Sequence, residues 1–195
     1  MVIDDINLTE RLFKDLDYKN HIDQYPIDKI LKIEISKANI NKKHKEKYTI
    51  TKSNIYKTVD PNNNEPIPVE IDDLIRLHFL VISRKVTTIL EFGVGRSNPV
   101  FDHALEINKS HYSDFVKNNL RRSNAFECHA VDNYQKWIDH TKEAYPNTKN
   151  VIYNFSKTSI STFNSRICTF YENLPNICPD LIYLDAPDQF SSSGD

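Results

Sequence analysis

The stretch TTILEFGVGRSNPVF, Thr87 to Phe101, holds two of the chain's three glycines, Gly93 and Gly95, directly after a short apolar run. A β-branched run that ends at once in glycine reads as a buried parallel strand entering a turn. In a doubly wound sheet the first strand-to-helix turn is where the backbone comes closest to a ligand lying outside the carboxyl ends of the strands. A side chain at Gly93 or Gly95 would fill that space or forbid a positive φ. The pair is therefore expected to face a ligand, with Glu91 as an acidic strand end just ahead of it.

Downstream, strand-like and helix-like patterns alternate, which predicts an α/β sheet with parallel strands. NPVFDHALEI (98–107) reads as a helix with Asn98 as its cap and Pro99 in the first turn. INKSHYSDFVKNNLRRSNAF (107–126) reads as an inserted helix with its loop, ECHAVD (127–132) as a second strand, and NYQKWIDHTKEAY (133–145) as a helix with Trp137, Ile138 and Tyr145 inward. VIYNF (151–155) and RICTFYE (166–172) both qualify as the third strand, or together as a hairpin, and DLIYLDAP (180–187) is the last strand. Upstream, VEIDDLIRLHFLVISRK places Ile71, Leu74, Ile75, His78 or Phe79, and Ile82 at helical spacing, predicting a helix over about 69–84. Residues 1–58 read as helical segments, including PIDKILKIEIS (26–36), and DPNNNEPIP (60–68) as a boundary loop.

The chain has 195 residues, 39 % of them hydrophobic, which suits one ordinary domain with an appendage. The opening MVIDDINLTERLF has neither a basic nor an apolar leader segment, and no run approaches the roughly 18 apolar residues of a membrane span. A cytoplasmic location is expected. Cys128, Cys168 and Cys178 form no CxxC pair and read as buried free thiols. With 25 basic and 27 acidic residues the net charge is −2, which argues against nucleic acid as a partner. The lysine-rich KKHKEK (42–47) lacks accompanying arginines and interleaved aromatics. The seven histidines form no HxH or HExxH pattern, so no metal site is expected.

The third glycine of a dinucleotide fingerprint is replaced by Asn98, and no Walker A sequence occurs. ILEFGVGRS instead resembles the first motif of class I S-adenosylmethionine-dependent methyltransferases, an apolar strand running into E/D-x-G-x-G. Val131, Asp132 and Asn133 resemble the second motif, and PDLIYLDAP (179–187) resembles the fourth, D-x-I-x-x-D. The resemblance covers roughly residues 70–190. It implies an α/β, Rossmann-like doubly wound parallel sheet over 67–195 as the cofactor-binding domain, with residues 1–66 as an N-terminal helical extension. It implies S-adenosyl-L-methionine as cofactor, with Glu91, Phe92, Gly93, Val94 and Gly95 against its methionine part, Asp132 on the ribose hydroxyls, Asn133 or Tyr134 beside the adenine, and Glu172 or Asn173 at the adenine edge. Asp185 would face the sulfonium and the acceptor, and Asp185 or Asp188 would serve as a general base or orient the acceptor. The same two carboxylates would suit a divalent ion, but no third carboxylate follows them.

The distance from the glycine turn to Asp132 exceeds the roughly 20 residues such folds use. The family's sheet has seven strands ordered 3-2-1-4-5-7-6, so this chain is expected to stop after the fourth. The missing strands would come from a longer natural chain or from a partner, a homo-oligomer included. The activity expected is methyl transfer to a small-molecule or other nucleophilic acceptor, by preference oxygen. Two alternatives stand beside it: a non-catalytic methyltransferase-like binding or scaffolding module, and a Rossmann NAD-binding oxidoreductase.

Overall fold

A computed structural model describes residues 12–35, 50–53 and 70–186. The chain divides into two compact units, Met1–Arg84 and Lys85–Asp195. The expected boundary at 60–68 and the lysine-rich 42–47 lie outside the described residues.

In the first unit, α1 (Tyr18–Gln24) is capped by the Asp17 carboxylate, which accepts from the Asn20 N–H at 3.0 Å. It is followed by α2 (Ile27–Ile30), β1 (Ile33–Ile35), β2 (Ile50–Ser53) and α3 (Ile71–Ser83). The helix expected over 69–84 is α3, which buries Ile71, Leu74, Ile75, His78 and Val81. α1 meets α3 through a hydrogen bond between His21 Nε2 and His78 Nδ1 at 2.8 Å, flanked by the Tyr25 ring. The wholly helical expectation for 1–58 needs correction. Ile33–Ile35 is a strand paired antiparallel with Ile50–Ser53, because Ile-Glu-Ile satisfies the two-residue period of a strand as well as it satisfies a helical stripe.

The second unit carries β3 (Thr88–Phe92), α4 (Ser97–Asn119), β4 (Glu127–Asp132), α5 (Gln135–Ala144), β5 (Val151–Phe155), β6 (Thr158–Phe163), β7 (Arg166–Tyr171) and β8 (Leu181–Leu184). Four strands form a parallel sheet in the order β5-β4-β3-β8. Register places Phe92 beside Val131 on one side and Leu184 on the other. The chain steps from β3 to β4 to β5 in one direction and then returns to the far side of β3, so the order reverses between β3 and β8. Right-handed crossovers in one direction put α4 and α5 on the same face. There Ile89, Glu91, Cys128 and Ala130 are fully buried, and Phe101 of α4 meets Tyr183 edge to face at 5.8 Å. The opposite face buries Leu90, His129 and Val131 but leaves Ile152, Ile182 and Leu184 exposed.

Three further expectations are corrected. The segment 98–126 is not a helix followed by an inserted helix: α4 runs unbroken for 23 residues. The third strand of the sheet is VIYNF. RICTFY pairs instead with TSISTF, in an antiparallel ribbon outside the sheet. Asn164 (φ 48°) and Ser165 (φ 62°) form its two-residue turn, the positive-φ pair that a type I′ hairpin requires. Of the free cysteines only Cys128 is buried, while Cys178 is exposed.

The amino ends of the strands are clamped by Asp180. One of its carboxylate oxygens accepts from the Thr87 N–H at 2.9 Å, the Thr87 hydroxyl at 2.8 Å and the Thr88 N–H at 3.2 Å. The other accepts from Arg122, whose guanidinium also donates to the Cys178 carbonyl at 2.9 Å. This explains the first Asp of the D-x-I-x-x-D strand as a structural residue.

Candidate functional site

Of the residues singled out by the sequence, Glu91, Gly93, Gly95, Asp132 and Asp185 stand at the carboxyl edge of the sheet, around the reversal between β3 and β8. Strand register alone brings the ends of β3, β4 and β8 together there, since these strands pair directly.

The turn after β3 is built by a buried side-chain bridge. Glu91 is fully enclosed. Its carboxyl group accepts from the Ser97 hydroxyl, from Asn98 Nδ2 at 2.6 Å and from the Cys128 thiol at 3.8 Å. Asn98 turns its other amide atom to the turn, where Oδ1 accepts the Gly95 N–H at 2.8 Å. Asn98 is thus not the helix cap expected, since Arg96 occupies that position. It is a strut that ties Gly95 to Glu91. Loss of water pushes the Glu91 carboxyl up to about 8, against the three donors that favour its charged form, with the negative charge of Asp185 adding to the rise. Glu91 therefore supports the turn from behind and has no surface open to a ligand.

The two glycines do different work. Gly93 takes φ +117°, and a Cβ there would stand 3.2 Å from the Ala186 Cβ and 3.5 Å from Asp185. This position needs glycine both for its backbone and for its close approach to the end of β8. The expectation that Gly95 also requires a positive φ is not met: its φ lies outside that region, and a Cβ there would meet no atom of the described residues within 4 Å. Space therefore opens in front of Gly95.

Asp132 ends β4 beside this turn. Its carboxylate accepts the Tyr134 N–H at 2.8 Å, and the Val94 and Asn133 N–H groups also favour its charged form, although burial outweighs them and raises its pKa. Of about four acceptor positions on a carboxylate, the Tyr134 N–H takes one, so Asp132 braces its own turn and keeps acceptor capacity for further donors. Asn133 reaches the Thr158 hydroxyl at 3.5 Å. Asp185 hydrogen-bonds through its own N–H to the Phe92 carbonyl at 2.8 Å. Its side chain is exposed, yet partial loss of solvent holds its carboxyl above the usual range. Asp188 lies outside the described residues. Among those described, neither Asp132 nor Asp185 has a salt-bridge partner, and no group of three or more His, Cys, Asp or Glu side chains is arranged to hold a metal ion.

Glu172 and Asn173 stand at the base of the hairpin, on the β5 side of the edge. The Glu172 N–H donates to the Lys157 carbonyl at 2.8 Å and the Asn173 N–H to the Ser156 hydroxyl at 2.9 Å, while the Ser156 N–H donates to the Asp132 carbonyl at 3.0 Å. Both side chains are exposed. Sequence reasoning missed Tyr171, which stacks on Phe92 with ring centroids 5.3 Å apart. Its enclosed hydroxyl has no partner among the described residues, an arrangement that costs about 1–3 kcal/mol. The only signal for it was its place one residue before Glu172.

Among the described residues no helix is long and apolar enough to cross a membrane. No family model matches the chain, and neither a curated protein nor a solved structure matches it significantly.

Proposed function

We propose that the second unit binds S-adenosyl-L-methionine and transfers its methyl group to a nucleophilic acceptor, an oxygen on a small molecule being the preferred reading. The observation that carries this is the open space in front of Gly95, at a turn that Gly93 closes against the end of β8. That is the reversal point of an open α/β sheet, where such folds hold their ligands. The residues fit the cofactor in charge as well. Asp132 and Asp185 flank the turn without a basic partner among the described residues, and a sulfonium with its neighbouring ammonium would supply the missing positive charge.

The bound cofactor supplies a methyl group already activated on sulfur, so the protein's task is to align acceptor, methyl and leaving group and to exclude water. Glu91 and Asn98 fix the turn that the methionine part would lie against. Asp132 would hold the nucleoside end with the acceptor capacity its backbone partners leave. Asp185, exposed and with a raised pKa, would accept a proton from an acceptor hydroxyl or orient it. Against the oxidoreductase alternative, the Gly95 N–H that a pyrophosphate-binding turn would offer is already donated to Asn98.

Calorimetric titration of the chain with S-adenosylhomocysteine, S-adenosylmethionine and NAD tests the reading. Binding of the first two in preference to NAD is expected. Absence of binding to either sulfur nucleoside would defeat the proposal, and binding without turnover on any hydroxylated acceptor would favour the non-catalytic module.

A further inference from the structure

Asn98 stands where a dinucleotide fingerprint starting at Gly93 and Gly95 would have its third glycine, and it uses that place as no glycine can. It is fully buried in the first turn of α4. Its Oδ1 accepts the Gly95 N–H at 2.8 Å, and its Nδ2 donates to Glu91 at 2.6 Å. A backbone N–H can only donate, so the amide oxygen must face Gly95 and the amide nitrogen is left to face Glu91. The Ser97 hydroxyl and the Cys128 thiol also donate to the enclosed Glu91 carboxyl. Asn98 cannot swing away without stranding buried polar groups at both of its ends.

In a turn that cradles a pyrophosphate, glycines let the backbone come close and the N–H groups ahead of the helix donate to phosphate oxygens. Here the space is present, since a Cβ on Gly95 would meet no atom of the described residues within 4 Å. The N–H is not, because it is engaged inside the protein. The carboxylates of Asp132 and Asp185 flank the same edge and add repulsion for an anion. Resting on the reading that a nucleoside ligand lies in this space, we infer that Asn98 sets the charge class of that ligand. By holding the Gly95 N–H it closes the turn to a diphosphate and leaves it open to nucleosides whose 5′ substituent is neutral or cationic. Asn98 is a positioning residue, acting through Gly95 and not by contact with the ligand.

The test is calorimetry on the full chain with adenosine, ADP and S-adenosylhomocysteine. Wild type is compared with Asn98→Gly, which completes the fingerprint, and with Asn98→Ala, which frees the same N–H with a better helix former. Wild type should bind ADP no more tightly than adenosine. Either variant should bind ADP about 10- to 150-fold more tightly than wild type does, as one charge-assisted hydrogen bond allows, with adenosine changed by less than about 3-fold. A turn that is merely loosened would move both ligands together, so the ratio of the two affinities is the readout. Should the variants fail to fold, wild type decides. The chain has three glycines, so glycine-selective nitrogen labelling resolves the Gly95 amide, which should be protected from exchange and unmoved by ADP. A Gly95 amide that exchanges freely or shifts with ADP, a wild type that prefers ADP to adenosine, or folded variants that gain no ADP affinity would each overturn the inference. Such variants of a chain that binds S-adenosylhomocysteine would leave the methyl-transfer reading standing. A gain in ADP affinity by variants of a chain that does not bind S-adenosylhomocysteine would support the inference and remove that reading.

Discussion

Replacing Gly93 and Gly95 singly by alanine separates what the backbone demands from what a ligand demands. At Gly93 the φ of +117° and a Cβ 3.2 Å from Ala186 mean that alanine sits in a conformation costing about 1–3 kcal/mol, before any adjustment of Ala186. At Gly95 neither obstacle exists. Alanine there narrows the unfolded ensemble and stabilises by about 0.4–1 kcal/mol. The two variants should therefore differ by about 1.4–4 kcal/mol, which for a chain of this size separates their melting temperatures by roughly 3–16 °C, Gly95→Ala melting higher. Thermal and urea unfolding followed by circular dichroism reads the difference directly. Titration with S-adenosylhomocysteine reads the other half: Gly95→Val should fold and yet fail to bind, because a branched side chain enters the open space. Equal destabilisation by the two alanines would refute the separation of roles, and undiminished affinity in Gly95→Val would show that the space before Gly95 is not where the ligand lies.

Below pH 4.5 Glu91 is protonated in folded and unfolded chains alike, whereas between 4.5 and about 8 only the unfolded chain gives up its proton, so stability falls as pH rises through this window and levels off above it. Glu91→Gln should flatten that profile, removing a penalty on the order of 3–5 kcal/mol at high pH, and an unchanged profile would show that Glu91 keeps its charge when buried. Asp180→Ala leaves the enclosed Thr87 and Thr88 donors without their acceptor and should cost about 1–3 kcal/mol in urea unfolding; because the clamp lies at the opposite end of the strands, any ligand affinity should be preserved. Asp185→Asn should spare binding of S-adenosylhomocysteine while slowing methyl transfer and erasing its dependence on the ionisation of Asp185, and unaltered turnover across pH would reduce Asp185 to a turn residue.

The sheet was legible because TTILEF, ECHAVD, VIYNF and LIYL are short, largely apolar and bounded by turn residues, the pattern of strands in a parallel sheet, even though the face with Ile152, Ile182 and Leu184 is exposed among the described residues. TSISTF was not, since alternating serine and threonine resembles a polar loop unless its partner strand is known; the Asn164-Ser165 pair was the available clue. α4 was divided in two because Asn108, Ser110 and Ser113 interrupt its apolar stripe. Asn108 is nevertheless buried and donates to the Val86 carbonyl at 2.8 Å, a tertiary reason that no periodicity reveals. At the site, the sequence located the turn but not its wiring. An asparagine that caps a helix and one that braces a glycine turn against a buried glutamate look alike until the side chain's partners are seen.

The length of α4 carries a consequence for reading such chains. At about 1.5 Å per residue its 23 residues reach some 34 Å, twice the roughly 17 Å that the five residues of β3 span at about 3.3 Å each. Since the helix starts at the carboxyl edge, all the surplus overhangs the amino edge, and the chain returns from there through Arg122 and Asn124, which anchor to Asp180 and to the Thr88 hydroxyl. Residues added between the glycine turn and Asp132 therefore travel away from the ligand side and back without displacing either. Distance along the sequence ceases to measure distance in space, and a spacing rule counted in residues discards a pairing that the alignment of Glu91 with Ala130 preserves unchanged.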